Sequence, residues 1–224
     1  MKSTLTLLTL AMLAPTAAVA ESTLDHPVST EASRMELGII LQRAKALNEQ
    51  GKTPVLVSDV DGTIWTEGAK DLPIPNPKAL PGAVKFFQDF SKYGTIVYLT
   101  GRKTSDRPAT IARLKELGFP FGKKAVLMTN PSDTWGNPIE WKIHAQGQIQ
   151  RLGEPVAFLE NTRRNAIVFR DLFPYHKNPN VSVLYLSDWK NSARGRVPNG
   201  ITTIKPFYPR ATRVRQLVPS AAHK

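Results

Sequence analysis

The sequence contains no cysteine in its 224 residues. This absence excludes disulfide bonds, thiolate metal sites and cysteine nucleophiles. The chain has only four histidines, and none of them stands at a spacing typical of metal ligands. Acidic residues are also few, since 18 Asp and Glu against 30 Lys and Arg give a formal net charge of +12. Such a basic balance either attracts polyanions, nucleic acid and nucleotides among them, or simply provides a well-solvated surface.

Long hydrophobic runs are missing as well. The apolar stretch Leu5–Leu13 is shorter than the roughly 20 residues that a membrane-spanning helix needs. Lys2 precedes this stretch, and the small-x-small pattern Ala18-Val19-Ala20 follows it. These features predict a signal peptide over residues 1–20, cleaved after Ala20. We therefore expect a periplasmic or secreted protein that keeps no stable membrane anchor after cleavage.

The overall composition is that of an ordinary globular protein, with 41% hydrophobic and 21% charged residues. It excludes a disordered chain, a collagen-like repeat and a protein that crosses the membrane many times. The length suits one mid-sized domain that buries enough apolar surface to fold without disulfides or structural metals.

Apolar residues recur at helical spacing from Ser33 to Gln50, where Ser33 and Glu36 fit a capping box and Gly51 fits the position after the helix. Five short, continuous apolar runs follow, and runs of this kind predict strands that are covered on both faces, as in a parallel sheet. They are Pro54–Val57, Thr95–Leu99, Ala125–Met128, Pro155–Leu159 and Val181–Leu186.

Helical patterns separate these strands, over residues 82–92, 108–117, 140–151 and 163–172. Alternating strands and helices predict an α/β fold with a doubly wound, Rossmann-like parallel sheet. The expected organisation is a signal peptide (1–20), a lead-in with an extra N-terminal helix (21–53), a core domain (54–205) and a basic C-terminal tail (206–224).

The end of the first predicted strand carries two carboxylates, Asp59 and Asp61, followed by Gly62 and Thr63. Placing two acidic groups at the tip of a buried strand is unfavourable unless a cation lies beside them. Mg²⁺ is the cation that hard oxygen ligands favour. A plain turn is the alternative interpretation, whereas a calcium-binding EF-hand is excluded because no helix precedes the motif and no Glu stands at the twelfth position.

Two further strand ends and one helix carry polar groups that suit the same site. Thr100, followed by Gly101 and Arg102, offers a hydroxyl and backbone N–H groups to a phosphate oxygen. Glu160 and Asn161, with Asn165 four residues later, offer oxygen ligands for a metal, and Lys142 offers an ammonium. Each signal is weak alone, because turns, helix caps and surface lysines share these residue types. Their combination and order are much more specific.

Together these residues make the region from about Pro54 to Phe173 resemble the haloacid dehalogenase superfamily of aspartate-nucleophile phosphatases. The resemblance implies that Asp59 is the nucleophile and Asp61 the general acid/base. It implies that Thr100 and Lys142 hold the phosphate. It also implies a Mg²⁺ ion held by the Asp59 carboxylate, the Asp61 backbone carbonyl and a group from the last motif.

The last motif departs from the family pattern, because Glu160-Asn161-x-x-x-Asn165 replaces the usual Gly-Asp-x-x-x-Asp. We favour Asn161 as the metal ligand with Glu160 beside it. The family's cap domains would enter in residues 64–81 or 118–140, and both segments are too short for a large cap. The resemblance therefore implies an open site. Three tryptophans in or beside these segments are candidates either for stacking on a base or for covering the core: Trp65, Trp135 and Trp141.

The function expected from the resemblance is Mg²⁺-dependent hydrolysis of phosphomonoesters through an aspartyl-phosphate, by an exported acid-type phosphatase. In that reaction we expect the catalytic proton to reside on Asp61 rather than on Asp59. Two alternatives remain open: a nucleic-acid end phosphatase or nucleotidase, and a non-enzymatic binding protein with a degenerate site. The second alternative has precedent in phosphate-accepting receiver domains, which combine a doubly wound fold with an Asp, a Thr and a Lys.

Overall fold

The structure is a computed structural model that describes residues 30–66, 76–131, 137–172, 181–186 and 201–204. The predicted signal peptide (1–20), the basic tail (206–224) and Trp135 lie outside the described residues. Within the described ranges, no helix is long and apolar enough to cross a membrane.

The described residues form one six-stranded sheet in the order β3-β2-β1-β4-β5-β6, with every neighbouring pair parallel. This confirms the predicted doubly wound α/β fold, and all five predicted apolar runs are strands. The sixth strand was not predicted, because three residues with two threonines give no apolar run. The strands are β1 (Pro54–Ser58), β2 (Thr95–Lys103), β3 (Ala125–Asn130), β4 (Glu154–Glu160), β5 (Ser182–Leu186) and β6 (Thr202–Ile204).

In the described ranges, six α-helices connect or cover these strands, and a 3₁₀ turn at Thr104–Asp106 follows β2. Where one helix was predicted over 140–151, the structure has two short helices that meet at Ala145. The helices are α1 (Thr30–Glu49), α2 (Ala83–Ser91), α3 (Arg107–Glu116), α4 (Pro138–His144), α5 (Gln146–Leu152) and α6 (Arg163–Leu172).

The helices cover both faces of the sheet, as a parallel sheet requires. One core layer joins α1, α2 and α3 to the sheet, with the rings of Phe86, Phe87 and Phe90 at its centre. The other layer contains Trp141 and Ile149 from α4 and α5, together with residues of α6. The sheet therefore has two buried faces and leaves its strand ends as the place for polar chemistry.

The N-terminal helix is an integral part of this core. Leu37, Ile40 and Ala44 are buried in the first layer, and the Arg43 Nη1 atom donates to Ser182 Oγ on β5 at 2.9 Å. The expected capping box at Ser33 is wrong, because the helix begins at Thr30 and Ser33 is buried within it. The helix therefore packs against the sheet rather than serving only as a lead-in.

Candidate active site

The candidate site lies at the carboxyl end of the central strand β1, between β2 and β4. The chain winds outward through β2 and β3 and then returns to place β4 on the other side of β1. Ligands of doubly wound sheets bind at such a switch point, just beyond the carboxyl ends of the strands. The register aligns Ser58 with Tyr98 on one side and with Leu159 on the other. The polar residues that follow these positions are therefore brought together.

A cavity of about 220 Å³ opens at this switch point. It brings together all the predicted site residues, although they are spread over roughly one hundred positions of the chain. It is lined by Asp59, Asp61, Thr100, Gly101, Arg102, Pro138, Lys142, Glu160, Asn161, Thr162 and Asn165.

A larger groove of about 580 Å³ lies at the opposite, amino-terminal edge of the sheet. It is an open surface depression whose charged residues include Lys52 and Glu154, paired with each other at 3.1 Å. This groove collects none of the predicted site residues, so the smaller cavity is the candidate active site.

A tight turn after β1 shapes the first motif. The Val60 carbonyl accepts the N–H groups of Thr63 and Ile64 at 3.2 and 3.0 Å, and Gly62 has a positive φ of 70° that favours glycine. The turn brings the Thr63 hydroxyl back to Asp59, where Oγ1 donates to Oδ2 at 3.2 Å. One oxygen of the Asp59 carboxylate is thus oriented by its own loop.

The other Asp59 oxygen belongs to a buried ionic triad. Lys142 Nζ donates at 2.7 Å to Asp59 Oδ1 and at 2.7 Å to Glu160 Oε2. The exposed side-chain fractions are only 4% for Lys142, 9% for Asp59 and 0% for Glu160. Glu160 Oε1 accepts the backbone N–H of Thr162 at 3.0 Å. Both Glu160 oxygens are therefore engaged, one by the Lys142 ammonium and the other by the Thr162 N–H.

Burial and charge act in opposite directions within this triad. Burial raises the pKa of the Asp59 carboxyl to about 7, and the nearby Lys142 ammonium offsets only part of that rise. Burial alone would lower the pKa of Lys142, but Asp59 and Glu160 outweigh it and raise the pKa above the ordinary lysine value. Lys142 is therefore cationic, and burial makes Asp59 easier to protonate than an ordinary carboxyl group.

A close helix–strand approach delivers Lys142 to this position. The Asn137 side chain caps α4 by accepting the Ile139 N–H at 3.1 Å, and Pro138 occupies the first turn. A Cβ atom on Gly101 would stand only 3.0 Å from Pro138 Cβ, so glycine lets α4 come close to β2. Lys142 lies one turn further along and points into the site rather than into solvent.

The second motif carboxylate, Asp61, lies in a more open cluster. The Arg102 guanidinium binds it as a fork, with Nε at 2.8 Å from Oδ2 and Nη2 at 2.7 Å from Oδ1. Trp65 Nε1 also donates to Oδ1, at 2.8 Å, and the guanidinium lies 5.1 Å from the Trp65 ring centroid. The hydrogen bonds that Arg102 donates to Asp61 raise the pKa of the guanidinium above its usual value.

Sequence reasoning gave no role to Arg102, although it directly follows Thr100 and Gly101. Of the two alternatives for Trp65, stacking on a base and covering the core, its complete burial favours the second. Trp141 is buried as well, which agrees with the alternative that it covers the core. The sequence feature that could have indicated the contact between Trp65 and Asp61 is their spacing of four residues, which a tight turn can bridge.

The donor set around the cavity suits a hard divalent cation. Carboxylate, amide and backbone carbonyl oxygens are the ligands that Mg²⁺ prefers. In the described part of the chain, the three carboxylates of Asp59, Asp61 and Glu160 pair with two cations, Lys142 and Arg102. The described residues contain no group of three or more His, Cys, Asp or Glu side chains placed to hold a metal. A bound cation would therefore depend on Asp59 together with amide and backbone oxygens.

Comparison with known proteins gives limited guidance. No family model matches the chain, and no curated protein matches it. Two solved structures of a class C acid phosphatase from Bacillus anthracis, one with tungstate bound, are similar to it at 18% sequence identity. The similarity covers 70% of this chain and 76% of that chain, with TM-scores of 0.49 and 0.47. Because such a likeness concerns the fold at most, the function has to be inferred from the site itself.

Proposed function

We propose that this protein hydrolyses phosphomonoesters through an aspartyl-phosphate intermediate on Asp59. The observation that carries the proposal is the pairing of two different carboxylates at one strand end. Asp59 is buried and held by Lys142, whereas Asp61 lies at the cavity mouth with about a third of its side chain exposed. A nucleophile and a separate proton carrier are the two functions that phosphoester hydrolysis by a carboxylate requires.

In the first step, a phosphate group enters between Asp59, Thr100 and Lys142. An Asp59 oxygen attacks phosphorus, the ester P–O bond breaks, and protonated Asp61 gives its proton to the departing oxygen. Lys142 stabilises charge on the phosphoryl oxygens. The Thr100 hydroxyl accepts the Arg102 backbone N–H at 3.2 Å, which leaves its own proton available for a phosphate oxygen.

In the second step, Asp61 removes a proton from a water molecule. The water oxygen attacks phosphorus, the bond between phosphorus and Asp59 breaks, and inorganic phosphate leaves. Asp61 is thereby protonated again and Asp59 is regenerated as a carboxylate. The two steps therefore return the site to its starting state.

Mg²⁺ is the cofactor that we propose, held by the Asp59 carboxylate, the Asp61 backbone carbonyl and Asn161. When bound, the ion supplies positive charge against the phosphoryl oxygens and against Asp59. This role agrees with the cluster of three carboxylates at the site and with the raised pKa of Asp59, because a bound cation would offset the burial that raises it.

We also propose that the protein is exported after cleavage at Ala20 and acts on exposed phosphoesters. The short segments 64–81 and 118–140 support an open site. A nucleotide or a phosphorylated nucleic-acid end is a second candidate substrate, favoured by three exposed cations on residues that end or follow β2 and β4: Lys103, Arg163 and Arg164. A strong loss of activity on oligonucleotides with rising salt, absent for a small ester, would support this candidate.

The decisive experiment uses residues 21–224 and measures phosphate release from a panel of esters, with and without EDTA. We expect release that EDTA abolishes and Mg²⁺ restores. Asp59→Asn should abolish release, whereas Asp171→Asn, which changes a carboxylate on the exposed end of α6, should leave it unchanged. No release from any ester with any divalent cation would favour the non-enzymatic binding protein instead.

A further inference from the structure

Trp65 is a fully buried residue with a polar atom directed at the site. Its indole Nε1 donates to Asp61 Oδ1 at 2.8 Å. The same oxygen accepts Arg102 Nη2 at 2.7 Å, and the second Asp61 oxygen accepts Arg102 Nε at 2.8 Å. Asp61 is therefore held from two sides by donors of different kinds.

The two donors differ in how firmly they are fixed. Arg102 lines the cavity and keeps a quarter of its side chain exposed. Trp65 is anchored by its backbone, since its carbonyl accepts the Gly62 N–H at 3.0 Å and it bridges to Ala79. Its ring is also packed in the core beneath the sheet. Arg102 can change partner within the cavity, whereas Trp65 cannot move without disturbing the loop and the core.

An incoming phosphate offers Arg102 an alternative ion-pair partner to Asp61. A guanidinium fork binds a phosphate as readily as a carboxylate, and a phosphate beside Asp59 would face Arg102 across the same cavity. Asp61 cannot serve as an acid while both its oxygens are bound to Arg102. Once Arg102 turns to the phosphate, Oδ2 is released and Oδ1 keeps the indole N–H.

We propose that Trp65 is the positioning residue for Asp61, and that its indole N–H keeps the carboxyl group aimed while Arg102 exchanges from Asp61 to the substrate phosphate. The proposal rests on the proposed phosphatase function and deepens it. Oδ2 carries the proton to the departing ester oxygen as the P–O bond breaks, and later takes one from the attacking water. Through both steps, Oδ1 continues to accept the hydrogen bond from the Trp65 indole N–H.

The test compares two esters in the variant Trp65→Phe, which keeps an aromatic ring and removes only the N–H group. p-Nitrophenolate leaves without a proton, whereas an alkoxide needs one, so a misplaced acid affects the alkyl ester selectively. The later attack of water is common to both esters, so the comparison uses kcat/KM, which reports only the steps up to cleavage of the ester P–O bond. We expect kcat/KM for an alkyl phosphate to fall by about 10-fold and kcat/KM for p-nitrophenyl phosphate to change by less than about 2-fold. The ratio of the two rates does not depend on how much of the variant is folded.

Trp141→Phe is the matched control, because the Trp141 Nε1 is buried without a hydrogen-bond partner in the part of the chain that the structure describes. It should leave the ratio of the two rates unchanged. Equal losses of kcat/KM on both esters in Trp65→Phe would show a merely structural role and overturn the proposal, as would no loss on either. A wild-type protein inactive on both esters would instead overturn the proposed function, and this inference with it.

Discussion

Asp59 and Asp61 are two residues apart in sequence, yet the structure gives them opposite environments. Asp59 shares a buried lysine with Glu160, and less than a tenth of each of the three side chains is exposed. Asp61 pairs with Arg102 at the cavity mouth, where a third and a quarter of the side chains are exposed. The buried half of the site is fixed, whereas the exposed half includes one exchangeable partner.

This difference explains how the carboxyl end of one strand can provide both a nucleophile and a proton carrier. In the buried half, charge is preorganised and no water competes, so Lys142 stabilises developing charge without rearranging. In the exposed half, an ion pair of low net strength can open when substrate binds. Changes in the buried half should therefore alter both stability and chemistry, and changes in the exposed half mainly binding and proton transfer.

The largest effect is expected from Lys142→Met, which breaks the buried half. It leaves two neighbouring buried carboxylates without their cation, so we expect a loss of about 3–5 kcal/mol in the free energy of unfolding. We also expect kcat/KM to fall by roughly 10³-fold, because the phosphoryl charge loses its fixed partner. Urea unfolding and steady-state kinetics measure the two effects.

The control for this variant is Lys85→Met, which removes an exposed lysine that pairs with Asp89 at 2.6 Å on α2. An exposed ion pair contributes at most about 1 kcal/mol, so stability and activity should hardly change. Similar losses in both lysine variants would contradict the distinction between buried and exposed pairs.

A smaller effect of opposite sign is expected from Asp59→Asn. Burial raises the pKa of Asp59 from 3.8 to about 7 in the folded protein. Below about pH 4 the carboxyl is protonated in both states. As pH rises from 4 to 7 the unfolded chain releases its proton first, so the wild-type protein loses stability, and the loss is complete above pH 7. Asparagine avoids this loss.

We therefore expect Asp59→Asn to raise Tm by about 5 °C at pH 8 and to leave it unchanged near pH 4. Thermal unfolding across pH, in EDTA so that no divalent ion adds stability, measures the difference. Asp171→Asn serves as the exposed control and should follow the wild-type curve. A variant less stable than the wild type at pH 8 would contradict this account, because it would show that burying the Asp59 carboxylate does not destabilise the folded protein.

The smallest effect on stability is expected from Arg102→Ala, which removes the ion pair between Arg102 and Asp61 in the exposed half of the site. Because both partners are partly exposed, the loss should stay below about 1 kcal/mol. KM should rise by about 10-fold on aryl and alkyl esters alike, since the guanidinium no longer meets the phosphate. Arg151→Ala at the far end of α5 is the control, and a destabilisation comparable to that of Lys142→Met would contradict this account.

Much of the site was predictable because its residues occur at the ends of recognisable strands. Asp59, Thr100 and Glu160 each follow an apolar run, and parallel strands bring such ends together. Lys142 was expected at the site only as one of a group of residues, since taken singly it fits a surface lysine. Its burial depends on the contact between Gly101 and Pro138, which links distant parts of the chain. Strand periodicity cannot reveal a contact of that kind.

The partners of Asp61 were not predictable from local patterns. The indole of Trp65 reaches Asp61 only because of the hydrogen bonds of the turn at Val60, and Arg102 reaches it across two strands. The N-terminal helix shows the same limit, since its periodicity predicts the helix but not that its apolar face packs against β1 and β4. Tertiary placement, rather than local propensity, decides these features.

The central claim is that Asp59 receives the phosphoryl group, and trapping that intermediate tests it most directly. In Asp61→Asn, p-nitrophenyl phosphate can still transfer its phosphoryl group because nitrophenolate needs no proton, but the water that breaks the intermediate lacks its base. Acid quenching and peptide mass spectrometry should then find a phosphate on Asp59. A burst of nitrophenolate with phosphate on another residue, or with none on the protein, would contradict the account.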